Sequence, residues 1–205
     1  MAPPDNQLAF DGGWEYAPAP ESTDHVRIAK RYGLFIDNEF VSPEKGRYFD
    51  TINPATEEKL SRVAEAGEAD VDKAVRAARE AYRKTWSKMK AAERGKYIFR
   101  IARIIQERAR EFSVIESLDG GKPIRESRDI DVPLAAAHFF YYAGWADKLE
   151  YAFPGRKPRP LGVAGQVIPW NFPLLMAAWK LAPALACGNT CLLYTSPSPR
   201  DSCIH

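Results

Sequence analysis

The last third of the chain carries the pattern that most limits what this sequence can fold into. Residues 162–168 are a continuous apolar run, as found in interior strands of parallel sheets. A turn bounded by Pro169 and Pro173 follows, then a predicted helix over residues 174–187 and a second apolar run from Cys191. Strand, helix and strand in this order form a βαβ unit, so the sequence predicts an α/β fold with a parallel sheet.

Shorter elements are predicted upstream of this unit. Polar turns at residues 37–38 and 53–56 lie between short apolar runs and predict two β-hairpins. Asp70 can cap a first helix, a second helix spans residues 92–120, and a third begins near Asp131. The third helix is apolar nearly all round, which predicts that it is buried between layers.

The two ends of the chain are predicted to differ from the middle. Four prolines among the first 20 residues predict that residues 1–30 are a flexible extension. Near the other end, Pro197 and Pro199 remove two backbone donors, so a central strand cannot continue through them. We therefore expect one folded part at residues 31–193, and a disordered or non-native tail without sheet contacts at residues 194–205.

Composition argues against several functional classes. Lysine plus arginine total 29 against 27 for aspartate plus glutamate, and this formal charge of +2 argues against binding nucleic acid or a membrane surface by bulk charge. The most apolar early stretch is shorter than the roughly 20 residues that a membrane-spanning helix needs. The three cysteines match neither a disulfide framework nor a zinc motif, so we expect a cytoplasmic protein without a metal.

Asn171 is the sharpest candidate for chemistry. It follows the predicted strand at its carboxyl end, which is where open α/β sheets bind ligands. Pro169 and Pro173 fix the backbone on either side, so the side-chain amide is held rigidly and can donate a hydrogen bond to a developing oxyanion. The alternative is a rigid turn in which Asn171 only caps the following helix.

Three segments resemble the NAD(P)-dependent aldehyde dehydrogenase superfamily. Residues 161–190 (LGVAGQVIPWNFPLLMAAWKLAPALACGNT) are similar to the entry of its cofactor-binding domain. Residues 52–58 (INPATEE) and 118–126 (LDGGKPIRE) are similar to family segments in the same order. The resemblance covers roughly residues 32–191, and residues 14–22 resemble the extension of the family-16 type. It implies a truncated aldehyde dehydrogenase-like fold, in which N-terminal hairpins and helices lead into the first βαβ unit of a Rossmann-like cofactor domain.

The resemblance also implies a reaction and roles for individual residues. In such enzymes a cysteine thiolate attacks the aldehyde, hydride passes to NAD or NADP, and a glutamate-activated water releases the acid. Asn171 would then be the oxyanion donor, and Lys180 matches a family lysine proposed to relay protons. The cofactor cleft would be lined by Ile168, Pro169, Trp170 and Asn171, and the substrate tunnel by Phe172, Met176 and Trp179. Core packing is the alternative for the three tunnel residues, and a solvated or ion-paired side chain is the alternative for Lys180.

The sequence departs from the family pattern in two places. Tyr194-Thr195 stands where the family has the Lys-Pro that holds the adenosine ribose, and none of the three cysteines matches the nucleophile's motif. The general-base glutamate also lies farther downstream in the family. The stretch before the Leu-Gly-Val strand is short and proline-rich, whereas family members commonly form a two-stranded assembly arm there. We therefore expect a homo-oligomeric parent enzyme with a shortened arm, and no activity from this chain alone.

Two alternatives to an aldehyde-oxidising parent remain open. A non-catalytic pseudoenzyme or binding module of the same fold would need no nucleophile. An acylating semialdehyde dehydrogenase shares the fold and the Pro-Trp-Asn-Phe-Pro-Leu context, but ends with thioester transfer to a thiol rather than hydrolysis. For a parent enzyme the resemblance implies a small-molecule aldehyde as the substrate class, and the near-balanced charge argues against a nucleic-acid or membrane partner.

Overall fold

The computed structural model describes residues 23–24 and 26–195. Most of the expected N-terminal extension and the tail after Thr195 therefore lie outside the described residues. The strands are β1 Arg31–Tyr32, β2 Leu34–Ile36, β3 Glu39–Val41, β4 Tyr48–Ile52, β5 Lys59–Ala64, β6 Val163–Ile168 and β7 Thr190–Thr195. The helices are α1 Glu68–Lys84, α2 Ala91–Glu107, α3 Ala109–Gly120, α4 Ile124–Glu126, α5 Val132–Trp145, α6 Leu149–Ala152 and α7 Pro173–Ala186. A 3₁₀ turn covers Trp86–Lys88 and a π-helical turn covers Ser127–Asp131.

Both predicted hairpins form. β2 pairs antiparallel with β3 around Asp37 and Asn38, whose φ angles of 54° and 64° are those of a tight hairpin turn that asparagine and aspartate tolerate. β4 pairs antiparallel with β5, and β1 adds a parallel edge to give the strand order β1-β5-β4. The turn after β4 is held by Asn53, whose Oδ1 accepts a hydrogen bond from the backbone N–H of Ala55 at 2.9 Å.

The first helix begins two residues before its predicted cap. Gly67 is the N-cap, and Asp70 is the third residue of α1. The buried carboxylate of Asp70 accepts hydrogen bonds from the backbone N–H of Gly67 at 2.9 Å and of Glu44 at 3.0 Å. Asp70 therefore stabilises the helix start and ties it to the loop between β3 and β4.

Replacing Asp70 with alanine should lower the free energy of unfolding by about 1–2 kcal/mol, because two backbone donors lose their acceptor. Urea denaturation of the purified chain measures this difference. Asp72→Ala, two positions after Asp70 and exposed on α1, is the matched control and should change stability by less than about 0.5 kcal/mol. Equal effects of the two substitutions would contradict the capping role.

The core lies where α5 packs between α2 and α7. Ile98, Phe139 and Ala182, one from each helix, are buried in one apolar cluster. Small residues allow this close packing: a Cβ on Gly95 would stand 2.9 Å from the backbone oxygen of Ala143. The crossing of α2 and α5 therefore leaves no room for a side chain at residue 95.

Two details of the predicted helices are wrong. The second helix is interrupted at Arg108, which separates α2 from α3. The helix α5 is not buried all round, since 59% of Tyr141 is exposed. The start of the third helix is confirmed, because α5 begins at Val132, directly after the π-helical turn.

The predicted βαβ unit is present at the end of the described chain. β6 and β7 pair in parallel from Val163 opposite Thr190 to Ile168 opposite Thr195, and α7 connects them. The strand therefore runs through Tyr194 and Thr195, and the expectation that sheet contacts stop at residue 193 is wrong for these two residues. The prolines of the tail come after them, so backbone donors are still present where β7 pairs.

Asn189 locks the two ends of this unit together. Its Oδ1 accepts hydrogen bonds from the backbone N–H of Leu161 at 2.7 Å and of Gly162 at 3.1 Å. Its Nδ2 donates to the backbone oxygen of Ala184 in the last turn of α7 at 3.2 Å. The buried side chain of Asn189 thus fixes the start of β6 against the end of α7. This contact sets the position of the turn that follows β6.

Candidate active site

The turn between β6 and α7 places Asn171 on the surface at the carboxyl end of a parallel strand. Ile168, the last residue of β6, is buried, whereas Trp170 and Asn171 are exposed. The N-cap of α7 is Phe172, whose backbone oxygen accepts a hydrogen bond from the N–H of Met176 at 2.9 Å. Asn171 therefore does not cap the helix, and the alternative prediction for this residue is wrong.

The side-chain amide of Asn171 makes no hydrogen bond to any described residue. Pro169 and Pro173, each two residues from Asn171, restrict the backbone of the turn on both sides. An exposed amide held on a rigid turn has its N–H groups available for a ligand. The Asn171 side chain is therefore a hydrogen-bond donor without an acceptor among the described residues, and an oxyanion site requires such a donor.

The three predicted tunnel residues lie along one stripe of α7, at spacings of four and three residues. Trp179 is 46% exposed and Phe172 is 38% exposed, while Met176 is half-buried. Core packing therefore does not account for the two aromatic rings. The Trp179 ring meets the His138 ring of α5 edge-on at 5.3 Å between centroids, and partial burial lowers the pKa of His138. The neutral imidazole of His138, the indole of Trp179 and the phenyl ring of Phe172 make this stripe apolar and aromatic.

Lys180 lies one turn after Met176 on α7 and is half-buried. Its backbone oxygen accepts a hydrogen bond from Nε2 of Gln166 in β6 at 2.9 Å, which joins the helix to the strand. Its ammonium group forms no ion pair with a described residue. The ion-paired alternative for Lys180 is therefore wrong within the described residues, and its proton-relay role stays a prediction.

The two described cysteines are poorly suited to be nucleophiles. Burial raises the pKa of the Cys187 thiol, and it raises the pKa of Cys191 to about 11. Because the thiolate is the reactive form, both thiols are protonated and unreactive near neutral pH. No group of histidine, cysteine or acidic residues that could hold a metal ion occurs among the described residues.

A buried group of charges next to this turn is not visible in the sequence patterns. Glu116 of α3, Lys122 of the following loop and Asp131 of the π-helical turn form this group, called here the buried charge cluster. The ammonium of Lys122 lies 3.7 Å from the centroid of the Phe172 ring. In the sequence, residues 118–126 stand out only by their resemblance to the family. The one local signal for buried charge is Lys122, which directly follows Gly121, the residue that caps the end of α3.

Comparison with known proteins identifies the family. The model of the family described as "Aldehyde dehydrogenase family" matches residues 40–203. The chain belongs to the aldehyde dehydrogenase family. This membership and the α/β fold confirm the resemblance inferred from residues 161–190.

Individual relatives agree with this assignment. The chain is 46% identical over 172 residues to an "Aldehyde dehydrogenase" of Alternaria alternata, covering 80% of this chain and 35% of that protein. It is 43% identical over 187 residues to human "Retinal dehydrogenase 2", covering 86% of this chain and 35% of that protein. The solved NAD⁺ complex of an aldehyde dehydrogenase from Bacillus cereus superposes with a TM-score of 0.75 at 41% identity, covering 81% of this chain and 36% of that one.

The matches also define what part of an aldehyde dehydrogenase this chain represents. It spans about a third of the length of the curated relatives it matches. Among the described residues, none of the helices is both long enough and apolar enough to cross a membrane. Residues 149–160, where the sequence predicts a shortened assembly arm, contain the helix α6 and no strand.

Proposed function

We propose that this chain supplies the N-terminal part of an NAD- or NADP-dependent aldehyde dehydrogenase, which oxidises a small aldehyde to a carboxylic acid. The observation that carries the proposal is the free, exposed amide of Asn171 on a rigid turn at the carboxyl end of β6. Family membership supplies the reaction class, and the NAD⁺ complex of the Bacillus cereus relative supports the cofactor.

The residues present fit part of a dinucleotide site. β6 ends at the buried Ile168, and the turn that follows is exposed at Trp170 and Asn171. A Cβ on Gly165 would have no atom within 4 Å, so this face of β6 admits close approach by a planar group. Ile168, Pro169 and Trp170 would line the cleft. The bound nicotinamide supplies the hydride acceptor, while the ribose contact expected from a lysine is lacking because Tyr194 stands at that position.

Within the reaction, Asn171 donates an N–H to the oxygen that becomes negatively charged when the aldehyde carbon is attacked. Because the donor is already in place, no reorganisation is needed as the charge develops. Phe172, Met176 and Trp179 form an apolar wall that excludes water from the aldehyde. Lys180, without a carboxylate partner, accepts or releases protons one helical turn beyond Met176.

A chimera tests the proposed function. In this chimera, the matched 172 residues of the Alternaria alternata protein are replaced by the corresponding residues of this chain. We expect aldehyde-dependent reduction of NAD or NADP, followed at 340 nm, with the unaltered Alternaria alternata protein as the control. A folded chimera without turnover would favour the non-catalytic alternative for these residues.

The chain of 205 residues should by itself show no aldehyde-dependent reduction of NAD or NADP. Both described cysteines are protonated near neutral pH, and Cys191 has the higher barrier because its pKa is about 11. The measurement is a coupled absorbance assay on the purified, sequence-verified chain. Activity that disappears in the variant Cys191→Ser would show that this prediction is wrong and would identify the nucleophile.

Three further proposals concern the setting of the enzyme. The odd number of cysteines and the absence of a disulfide among the described residues favour a reducing cytoplasm. The near-balanced charge favours a small molecule rather than nucleic acid or a membrane as the partner. Full-length assembly is proposed to be homo-oligomeric, with a shortened arm at residues 149–160.

A further inference from the structure

The buried charge cluster brings three charged side chains from three elements into the interior. The exposed fractions of the side chains are 4% for Glu116, 11% for Lys122 and 2% for Asp131. Charged groups of this kind are almost never buried unless they are paired. The cluster also needs an irregular backbone, because Asp131 closes the π-helical turn that re-aims side chains before α5 begins. Because burying these three charged side chains is costly in free energy, we expect the contacts of the cluster to explain its presence.

The two carboxylates hold the ammonium group from one side. Nζ of Lys122 donates a short hydrogen bond to Oδ2 of Asp131, and it lies 3.8 Å from Oε1 of Glu116. Neither carboxylate oxygen of Glu116 accepts a hydrogen bond from a described residue. Glu116 thus contributes its charge to Lys122 at a distance rather than through a directed bond, and Asp131 fixes the position of Nζ.

The other side of the ammonium faces the ring of Phe172. The distance of 3.7 Å between Nζ and the ring centroid is well inside the range of about 6 Å for a cation–π contact. Because Lys122 is nearly buried, water competes little with the ring for the ammonium, which strengthens the attraction. Phe172 is 38% exposed and lies outside the apolar core cluster of α2, α5 and α7.

Phe172 is placed where its orientation matters for the candidate active site. It follows Asn171 directly, it is the N-cap residue of α7, and Pro173 follows it. Pro169 and Pro173 restrict the backbone of the turn, and the contact between the Phe172 ring and Lys122 ties the turn to the buried charge cluster. Holding its ring therefore holds the peptide that carries the Asn171 amide.

We propose that Lys122 is a positioning residue: its buried ammonium grips the Phe172 ring and thereby fixes the Asn171 amide and the first ring of the aromatic stripe on α7. That this placement serves aldehyde oxidation rests on the proposed function, whereas the contact itself does not. The carboxylates of Asp131 and Glu116 set the ammonium in place, so they act through Lys122.

Nuclear magnetic resonance on the 205-residue chain tests the contact without any use of activity. Protons on the ε-carbon of Lys122 lie over the face of an aromatic ring, so their signal should be shifted upfield from those of the other lysines. Phe172→Leu should return the signal to the common position while leaving the ion pair with Asp131 intact. Lys96, exposed and paired with Glu93 on α2, is the matched reference lysine and should not respond.

Hydrogen exchange tests the positioning. Lys122→Met and Phe172→Leu should each raise the exchange rates of the backbone amides of residues 170–172 by about ten-fold, because each removes the same anchor. The double variant should raise them no further, and Lys122→Arg, which keeps a cation over the ring, should restore most of the protection. Lys96→Met should leave these amides unchanged.

The proposal fails if the Lys122 signal is not shifted, or if Phe172→Leu leaves the exchange of residues 170–172 unchanged. If Lys122→Met unfolds the chain, Phe172→Leu alone decides, since it leaves the buried charges paired. An inactive chimera together with the expected shift and exchange would overturn the proposed function and leave the contact standing. An active chimera together with an unshifted Lys122 signal would support the proposed function and overturn the contact between Lys122 and Phe172.

Discussion

Replacing Asn171 with alanine in the chimera should lower kcat by about 10²–10³-fold, which corresponds to roughly 2.7–4 kcal/mol of lost transition-state stabilisation. The side-chain amide of Asn171 has no hydrogen-bond partner among the described residues, so its N–H groups are available when the aldehyde binds. The loss should fall on kcat, because the charge that the amide stabilises develops only as the aldehyde carbon is attacked. Single-turnover measurement of NAD reduction reports this step directly.

Asn171→Asp is the matched variant for this test. It keeps the size and shape of the side chain but replaces the N–H donor by an acceptor, so it should be at least as damaging as alanine. The free energy of unfolding of both variants in urea should lie within about 0.5 kcal/mol of that of the unaltered chimera, since the Asn171 side chain makes no hydrogen bond to a described residue. Unchanged single-turnover rates in either variant would show that Asn171 is not the oxyanion donor.

Elements that depend on neighbouring residues were predictable from the sequence. The turn at Asp37 and Asn38 combines residues that accept positive φ with short flanking apolar runs, and the hairpin forms there. The βαβ unit is predictable for the same reason: its strand, its proline-bounded turn and its helix are each signalled locally. Family membership followed from the longest of these segments.

Features that depend on distant contacts were not predictable. The start of the first helix was misplaced because Asp70 has the chemistry of an N-cap, but uses it from the third position to reach the N–H of Glu44. Asn171 could equally have capped α7, and only the structure shows that Phe172 occupies that position. The pairing of Glu116 and Lys122 with Asp131 requires the π-helical turn, which leaves no periodic signal in the sequence.

The second large effect concerns Glu116, whose carboxylate group is buried. Burial raises the pKa of Glu116 from its ordinary value of 4.5 to about 7, the nearby Lys122 ammonium lowers it in part, and the Asp131 carboxylate raises it further. The folded chain therefore binds a proton at Glu116 more tightly than the unfolded chain does. Its contribution to stability is fully present below pH about 4.5 and is lost as the pH rises through about 7.

The size of this loss follows from the difference between the two pKa values. At about 1.36 kcal/mol for each pKa unit, Glu116 costs the folded state roughly 3 kcal/mol once it is ionised. Glu116→Gln removes the charge and keeps the size of the side chain. We expect this variant to be more stable than the unaltered chain at pH 8 by up to about 3 kcal/mol, and to lose most of that advantage at pH 5.

The difference between the two chains isolates Glu116 from the other titrating groups. The pKa of His138 is lowered by burial, so His138 favours folding as the pH rises and opposes Glu116, but it is present in both chains and cancels. Urea denaturation at half-unit steps from pH 5 to pH 8 measures the difference, and Glu126→Gln, at an exposed position on α4, is the matched control for a glutamate-to-glutamine change. A difference between Glu116→Gln and the unaltered chain that stays constant across this range would show that Glu116 is already ionised when folded.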